Sequence, residues 1–276
     1  METVQQLGII AGGGEYPLLL ARSAKNQGVK KIVAVAFEGE TSQDIAPLVD
    51  EVNWVKIGKL NKLIRTFTDN GIRECVMAGS LRPSNLFKDI SLDFRMVAVA
   101  ARLKARNAET IFGAVAEELA KDGVTLLDAR AFLGDHVPKT GIIAGRKLSS
   151  DQQEIVDFGW KIAKAVSELD IGQTVVVKNG TVLAVEGFEG TDECIKRGGA
   201  LAGESGGGTV VKVSKPRHDF RFDVPCIGTK TIEICAAAKI TVLAIEAGKT
   251  LLLDREKVAA AADDANIKMI AIASQS

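Results

Sequence analysis

Residues Leu7–Gly14 read LGIIAGGG, and the fold class turns on them. Leu7–Ala11 is a short apolar run stopped by three glycines, the pattern of a buried strand entering a tight turn. Pro17 follows. Proline is favoured in the first turn of a helix, and the helical reading extends through Ala24. Lys31–Phe37, KIVAVAF, is a second buried-strand candidate. Strand, glycine turn, helix, strand is the first half of a doubly wound α/β unit. Glycines at such a turn let backbone N–H groups approach a phosphate at the helix N-terminus, which makes Gly12, Gly13 and Gly14 candidate substrate contacts. The dinucleotide fingerprint is broken, because Pro17 stands where a third glycine is wanted. Glu38, just past the second strand, could meet a ribose hydroxyl, although solvated loop residues are commoner there.

Outward from this unit the same alternation continues. Asp44–Asp50 suggests a short helix, Val52–Val55 a strand, and Leu60–Asn70 a helix stopped by Gly71. Glu74–Ala78 is the next strand, ending in Gly79-Ser80-Leu81-Arg82-Pro83. That loop falls at the carboxyl edge of the sheet, where α/β proteins bind ligands, so Ser80 and Arg82 are candidate phosphate contacts. Helices over Phe94–Leu103 and Ala108–Lys121 and a strand over Val124–Asp128 complete a first domain, residues 1–128. Residues 129–149 carry several glycines and little periodicity and read as a linker.

The second domain, residues 150–276, has a different grammar. Ser150-x-x-Gln153 fits a capping box, and Ile155, Ile162, Val166 and Leu169 fall at helical spacing on its apolar face. Gln173–Lys178 and Thr181–Glu186 are β-branched runs flanking Asn179-Gly180, the signature of a type I′ hairpin. Thr191 suits the N-cap of a helix over Asp192–Leu201. Gly203–Gly208, before the strand Thr209–Ser214, reads as a flexible connector, with a closing lid as the alternative. Lys230–Lys239 reads as a helix, Ile240–Ile245 and Thr250–Leu253 as strands, Asp254 as the cap of a helix over Arg255–Asn266, and Ile267–Ala273 as a closing strand. The expected fold class is α/β: an N-terminal Rossmann-like parallel-sheet domain and a C-terminal α/β domain with a mixed sheet.

Composition narrows the function. Apolar residues make up 46% and charged residues 25%, values of a soluble globular protein. Lys+Arg and Asp+Glu both count 35, so no global field attracts nucleic acid, and one Tyr with two Trp offers few stacking platforms. The four cysteines show no CxxC pairing, and Met1–Gln6 runs straight into a strand without a secretory segment, pointing to reduced thiols in the cytosol. The only histidines, His136 and His218, lie far apart, which disfavours a zinc or iron site. Carboxylates are plentiful, so a required metal would be Mg²⁺ or Mn²⁺ held by oxygen.

The charge concentrates in Lys215–Gly228, KPRHDFRFDVPCIG. Phe220, Phe222 and Val224 alternate with Asp219, Arg221 and Asp223 between Pro216 and Pro225, which suits an extended segment with one packed and one charged face. Lys215, Arg217 and Arg221 could bind phosphate oxygens. Asp219, with Glu186, Asp192 and Glu246 elsewhere, could add metal or supporting carboxylates.

This segment resembles the K-P-x-Q-D-x-R-x-D-x-P-x-I-G-like stretch of the LpxI-type UDP-2,3-diacylglucosamine pyrophosphatases. Further matches follow in family order: Gly8–Gly14 with Pro17, Asp170-Ile171-Gly172-Gln173, Ala184-Val185-Glu186, Glu189-Gly190-Thr191-Asp192, Glu246-Ala247-Gly248 and Asp254-Arg255-Glu256. His218 stands where the family has glutamine, and Arg106-Asn107 where other members tend to carry two aspartates. The resemblance implies a two-domain, dimeric enzyme at the cytoplasmic face of the inner membrane. It would hydrolyse UDP-2,3-diacylglucosamine to 2,3-diacylglucosamine 1-phosphate and UMP in lipid A synthesis, by water attack on the α-phosphorus with a divalent cation, usually Mg²⁺. The family aspartate essential for turnover falls on Asp223, which would be catalytic and a metal ligand; Thr191, in a family-matched motif, joins the candidate substrate contacts. Two other classes stand beside this one: a nucleotide-dependent oxidoreductase using Gly12–Gly14 and Glu38, and a non-enzymatic protein binding a nucleotide sugar or lipid.

Overall fold

The computed structural model describes residues 4–81, 92–103, 108–216 and 218–273. Arg82, Asn107 and Arg217 lie outside the described residues. The chain forms two compact units: residues 1–133 together with 219–223, and residues 134–218 together with 224–276.

The first unit is built on five parallel strands in the order β3-β2-β1-β4-β5. They are β1 (Gln6–Ala11), β2 (Lys31–Phe37), β3 (Glu51–Val55), β4 (Glu74–Ala78) and β5 (Thr125–Leu126). Central β1 pairs with β2 and β4, placing Ile9 beside Ala34 and Val76, and only its first residue is exposed. A strand covered on both faces must read as a continuous apolar run, which is why LGIIA decides the fold. Among the described residues this unit has four helices: α1 (Tyr16–Asn26), α2 (Leu60–Asp69), α3 (Phe94–Arg102) and α4 (Ala108–Lys121). Phe67, Leu63 and Ile64 of α2 and Leu119 of α4 join Val33, Val35 and Cys75 in the core. The helix expected over Asp44–Asp50 is a 3₁₀ helix, Gln43–Leu48, with Pro47 inside it. The strand expected over Val124–Asp128 keeps only Thr125–Leu126.

The second unit holds a six-stranded mixed sheet in the order β6-β13-β11-β9-β7-β8. Its members are β6 (Gly141–Ala144), β7 (Thr174–Lys178), β8 (Thr181–Val185), β9 (Gly208–Lys212), β11 (Ile240–Glu246) and β13 (Lys268–Ile272). Strands β9, β11 and β13 run parallel to one another, and β6, β7 and β8 pair antiparallel. β10 (Cys226–Ile227) and β12 (Leu251–Leu252) form a small parallel pair. The helices are α5 (Ser150–Glu168), α6 (Thr191–Leu201), α7 (Thr229–Ala237) and α8 (Arg255–Asp264). Asn179 (φ 49°) and Gly180 (φ 72°) both take positive φ, as a type I′ hairpin requires.

Three local expectations shift. Within residues 129–149, β6 is a sheet strand paired with β13. The capping box of α5 is one residue earlier, Ser149 with Gln152. The face α5 buries is also rotated. It presents Val156, Gly159, Trp160 and Ala163, whereas Leu169 is 71% exposed. Gly159 is the reason: a Cβ there would stand 2.8 Å from Val211 Cγ2, so the helix approaches the sheet through its smallest residue. A count of large aliphatic residues cannot find a face built around glycine. On the opposite side α6 does the same with Gly198, whose Cβ would lie 2.4 Å from that of Val176.

Candidate active site at the carboxyl edge of the N-terminal sheet

The loops after β1 and β4 lock together at the carboxyl edge of the first sheet. The Gly12 N–H donates to Ala78 O at 2.7 Å, the Gly13 N–H to Ser80 O at 2.7 Å, and the Ser80 N–H to Gly13 O at 3.1 Å. A Cβ on Gly12 would sit 2.8 Å from Ser80 O, and one on Gly79 (φ 94°) 2.6 Å from Gly13 O. The glycines are thus explained by the approach of two backbones. Two of the amides read from the sequence as phosphate donors are taken up inside the protein. Gly14 (φ 88°) has open space where a Cβ would point, and Ser80 is exposed. Glu38 is exposed beyond β2.

Helix α1 begins immediately after this turn, with Pro17 in its first turn. Its first residue, Tyr16, is 6% exposed, and its hydroxyl donates to Ala129 O. Ala129 follows β5 on the same sheet edge, and its own N–H donates to Phe220 O at 2.7 Å. Residues 219–223 are therefore part of the edge that the glycine loop occupies, although their flanking residues belong to the second unit.

The segment is not the extended strand that its alternation suggests. Asp219 captures its own backbone, accepting the Arg221 N–H at 3.1 Å, Arg221 Nε at 3.0 Å and Nη2 at 2.6 Å. The Phe222 and Asp223 amides turn back toward Asp219 O, each at 3.4 Å. An aspartate that bonds the amide two residues on closes a turn, and here that local bond overrides a β pattern. The Asp219 hydrogen bonds also hold the Arg221 guanidinium pKa above its ordinary value. The two phenylalanines have separate seats. Phe222 packs on the first unit's core with its ring centroid 6.0 Å from that of Phe112. Phe220 lies under the Arg130 guanidinium, 3.8 Å from its ring centroid. Asp223 ends this turn with its side chain exposed.

Arg130 is itself held flat. Its Nε reaches Asp128 Oδ1 at 3.0 Å and its Nη2 reaches Oδ2 at 2.6 Å, a two-pronged pairing that fixes the guanidinium plane. Asp128-Ala129-Arg130 and Asp219-Phe220-Arg221 are thus the same Asp-x-Arg turn twice, joined by the bond between their central residues. Tyr16, Asp128 and Arg130 were not among the sequence-derived candidates. The repeated Asp-x-Arg spacing was visible, but nothing local says that two such tripeptides meet.

The remaining candidates lie in the second unit. Glu246, at the end of β11, is fully buried and accepts from Ser214 N at 2.8 Å, Ser214 Oγ at 3.1 Å, Lys249 at 2.8 Å and Lys164 at 3.3 Å. Glu186 accepts from the Gln173 N–H at 3.1 Å and the Thr191 hydroxyl at 2.9 Å. Thr191 opens α6 but does not cap it. The N-cap is Gly190 (φ 84°), because the Thr191 hydroxyl is bound to Glu186 and receives Lys212 Nζ at 2.9 Å. Asp192 pairs with Lys230 at 2.9 Å, and Lys215 pairs with Asp170. Among the described residues no three His, Cys, Asp or Glu side chains group as a metal cage. Of the candidate ligands, Asp219 and Asp223 belong to the first unit and Glu186, Asp192 and Glu246 to the second.

Comparison with known proteins accounts for nearly the whole chain. Residues 6–136 match the LpxI N-terminal domain and residues 139–270 the LpxI C-terminal domain. The UDP-2,3-diacylglucosamine pyrophosphatase LpxI of Caulobacter vibrioides is 30% identical over 280 residues, covering 98% of each chain. Two solved structures share a weaker likeness. One is the biotin carboxylase domain of a thermophilic 2-oxoglutarate carboxylase bound to ADP, at 14% identity over 63% of this chain and 35% of that chain, with a TM-score of 0.27. The other is an ADP complex of purK, N5-carboxyaminoimidazole ribonucleotide synthetase, at 14% identity over 71% and 45%, with a TM-score of 0.26. The chain spans under half the length of either, and at those scores neither bears on fold or function. With both domain families matched in order and a relative aligned end to end, the chain belongs to the LpxI family.

Proposed function

We propose that this protein hydrolyses the diphosphate of UDP-2,3-diacylglucosamine, releasing UMP and 2,3-diacylglucosamine 1-phosphate. The observation that carries the reading is the alignment of 98% of the chain with a pyrophosphatase of that name. The site geometry supports it. Asp223, the residue on which the family aspartate falls, is exposed at the carboxyl edge of a parallel sheet, beside a turn stiffened by Asp219 and Arg221. Asp223 orients the attacking water in line with the α-phosphorus, and Arg221, half-exposed beside it, faces the phosphate charge.

Whether Mg²⁺ suits this site is a question of donors. No cage of three carboxylates exists among the described residues. Mg²⁺ seldom needs one, since it keeps several waters and takes one or two carboxylates plus substrate phosphates. Asp223 fits that mode and would be its protein ligand together with the diphosphate. When bound, the ion neutralises charge on the phosphates. The same reading places the enzyme as a homodimer, in peripheral contact with the cytoplasmic face of the inner membrane where its lipid substrate lies. No helix among the described residues is long and apolar enough to cross a membrane.

The test is an assay of UDP-2,3-diacylglucosamine with Mg²⁺, and with EDTA and Asp223→Ala as controls. UMP release that stops in both controls is expected, and in ¹⁸O water the label enters UMP. Label in the sugar phosphate would overturn the site of attack. Release that survives Asp223→Ala would remove Asp223 from the mechanism.

A further inference from the structure

We propose that the paired Asp-x-Arg turns form a clamp that positions Asp223, with Arg130 as the positioning residue acting through Phe220. The inference rests on the reading of Asp223 given above. Asp223 is anchored weakly by its own backbone, because its amide reaches Asp219 O only at 3.4 Å. The contacts of the residues before it hold the turn that carries it. Phe222 is seated against Phe112. Phe220 is held from two directions, by the 2.7 Å bond from the Ala129 amide to its carbonyl and by the Arg130 guanidinium 3.8 Å over its ring. Asp128 holds that guanidinium flat with two bonds. The Tyr16 hydroxyl ties the other side of Ala129 to the start of α1. The chain of contacts Tyr16–Ala129–Phe220 therefore connects the glycine-loop helix to the turn that carries the aspartate, and Arg130 closes it from above.

Lysine cannot replace Arg130 in this arrangement. It has no planar fork to pair with Asp128 and stack on the ring at once. Positioning also has a kinetic signature distinct from binding. A reacting group displaced by about 1 Å loses on the order of 100-fold in rate, while substrate affinity can stay the same.

The experiment is a double-mutant cycle of Arg130→Ala and Phe220→Leu, with Arg130→Lys as a milder variant, assayed on UDP-2,3-diacylglucosamine with Mg²⁺. Each single variant is expected to lower kcat on the order of 10- to 100-fold with KM little changed. The double variant should be no slower than the slower single one, because both act through one contact. Multiplying defects, or a raised KM with kcat intact, would overturn the proposal. So would a lowered Tm with full turnover, which marks a purely structural pair. Amide exchange at Ala129 supplies a readout independent of turnover. Arg130→Lys and Arg130→Ala are expected to speed it, and an unchanged rate sinks the clamp. If the wild-type protein does not hydrolyse this substrate, the functional reading fails, and the exchange result alone decides whether the clamp exists.

Discussion

Replacing Glu246 with glutamine separates a structural carboxylate from a catalytic one. The side chain is fully buried and takes two bonds from Ser214 and contacts from Lys164 and Lys249. Glutamine keeps the shape but removes the charge, and its amide group turns a donor toward a cluster of donors. Leaving one side of a buried ion pair uncompensated costs about 3–5 kcal/mol. The lysine side chains are 23% and 29% exposed, so water reaches both and the lower end applies, about 3 kcal/mol. For chains of roughly 150–250 residues each kcal/mol moves Tm by about 2–4 °C, so a loss of about 6–12 °C is expected by calorimetry. Adding Lys249→Met should recover part of it by removing one stranded charge. Glu246→Gln assayed well below its Tm should retain most turnover. A Tm within 1 °C or so of the wild type, with turnover abolished, would refute the reasoning and return Glu246 to the reacting centre.

Other predictions concern stability and reactivity. Glu118 is buried under Lys121, Arg95 and Arg102, whose hydrogen bonds hold its carboxyl down at about 2 instead of 4.5. Its contribution is therefore complete above pH 4.5 and is lost as pH falls toward 2; allowing for screening at Arg102 and Lys121, it is about 1–2 kcal/mol, and urea unfolding of Glu118→Gln across pH 3–6 should show a flattened acid limb. Gly113, inside α4, has nothing among the described residues within 4 Å of an added Cβ, so Gly113→Ala should stabilise by about 0.5–1 kcal/mol. Gly198→Ala, which would place its Cβ 2.4 Å from that of Val176, should destabilise by about 1–3 kcal/mol; equal effects in denaturant titrations would remove the close-approach argument. Burial pushes the Cys75, Cys194 and Cys235 thiols up to about 12, so native alkylation followed by peptide mass spectrometry should label partly exposed Cys226 first.

What the sequence made legible was local. LGIIAGGG and KIVAVAF specify a parallel α/β unit because a central strand buried on both faces leaves no polar alternation to confuse it. Asn179-Gly180 specifies its hairpin because two successive positive φ values exclude most other residues. The errors came where another local bond won, as with Asp219 closing a turn inside an alternating segment, or where glycine rather than a large side chain defined a packing face, as in α5.

The candidate site was legible only in part, and the missing part is long-range. Resemblance singles out Asp223, and the charge pattern singles out its neighbours, but both readings assign the segment to the C-terminal half in which it is written. Its packing assigns residues 219–223 to the N-terminal unit, through Phe222 in that core and Phe220 between Ala129 and Arg130. The consequence reverses the weight of the glycine turn. The Gly12 and Gly13 amides go to the end of β4 and the loop after it, and the helix that begins just past the turn starts with Tyr16. Tyr16 holds Ala129, Ala129 holds Phe220, and Asp223 follows three residues on. If Asp223 carries the chemistry as proposed, the glycine turn bears on where that aspartate stands through this chain of hydrogen bonds, whatever contacts its amides make with a phosphate.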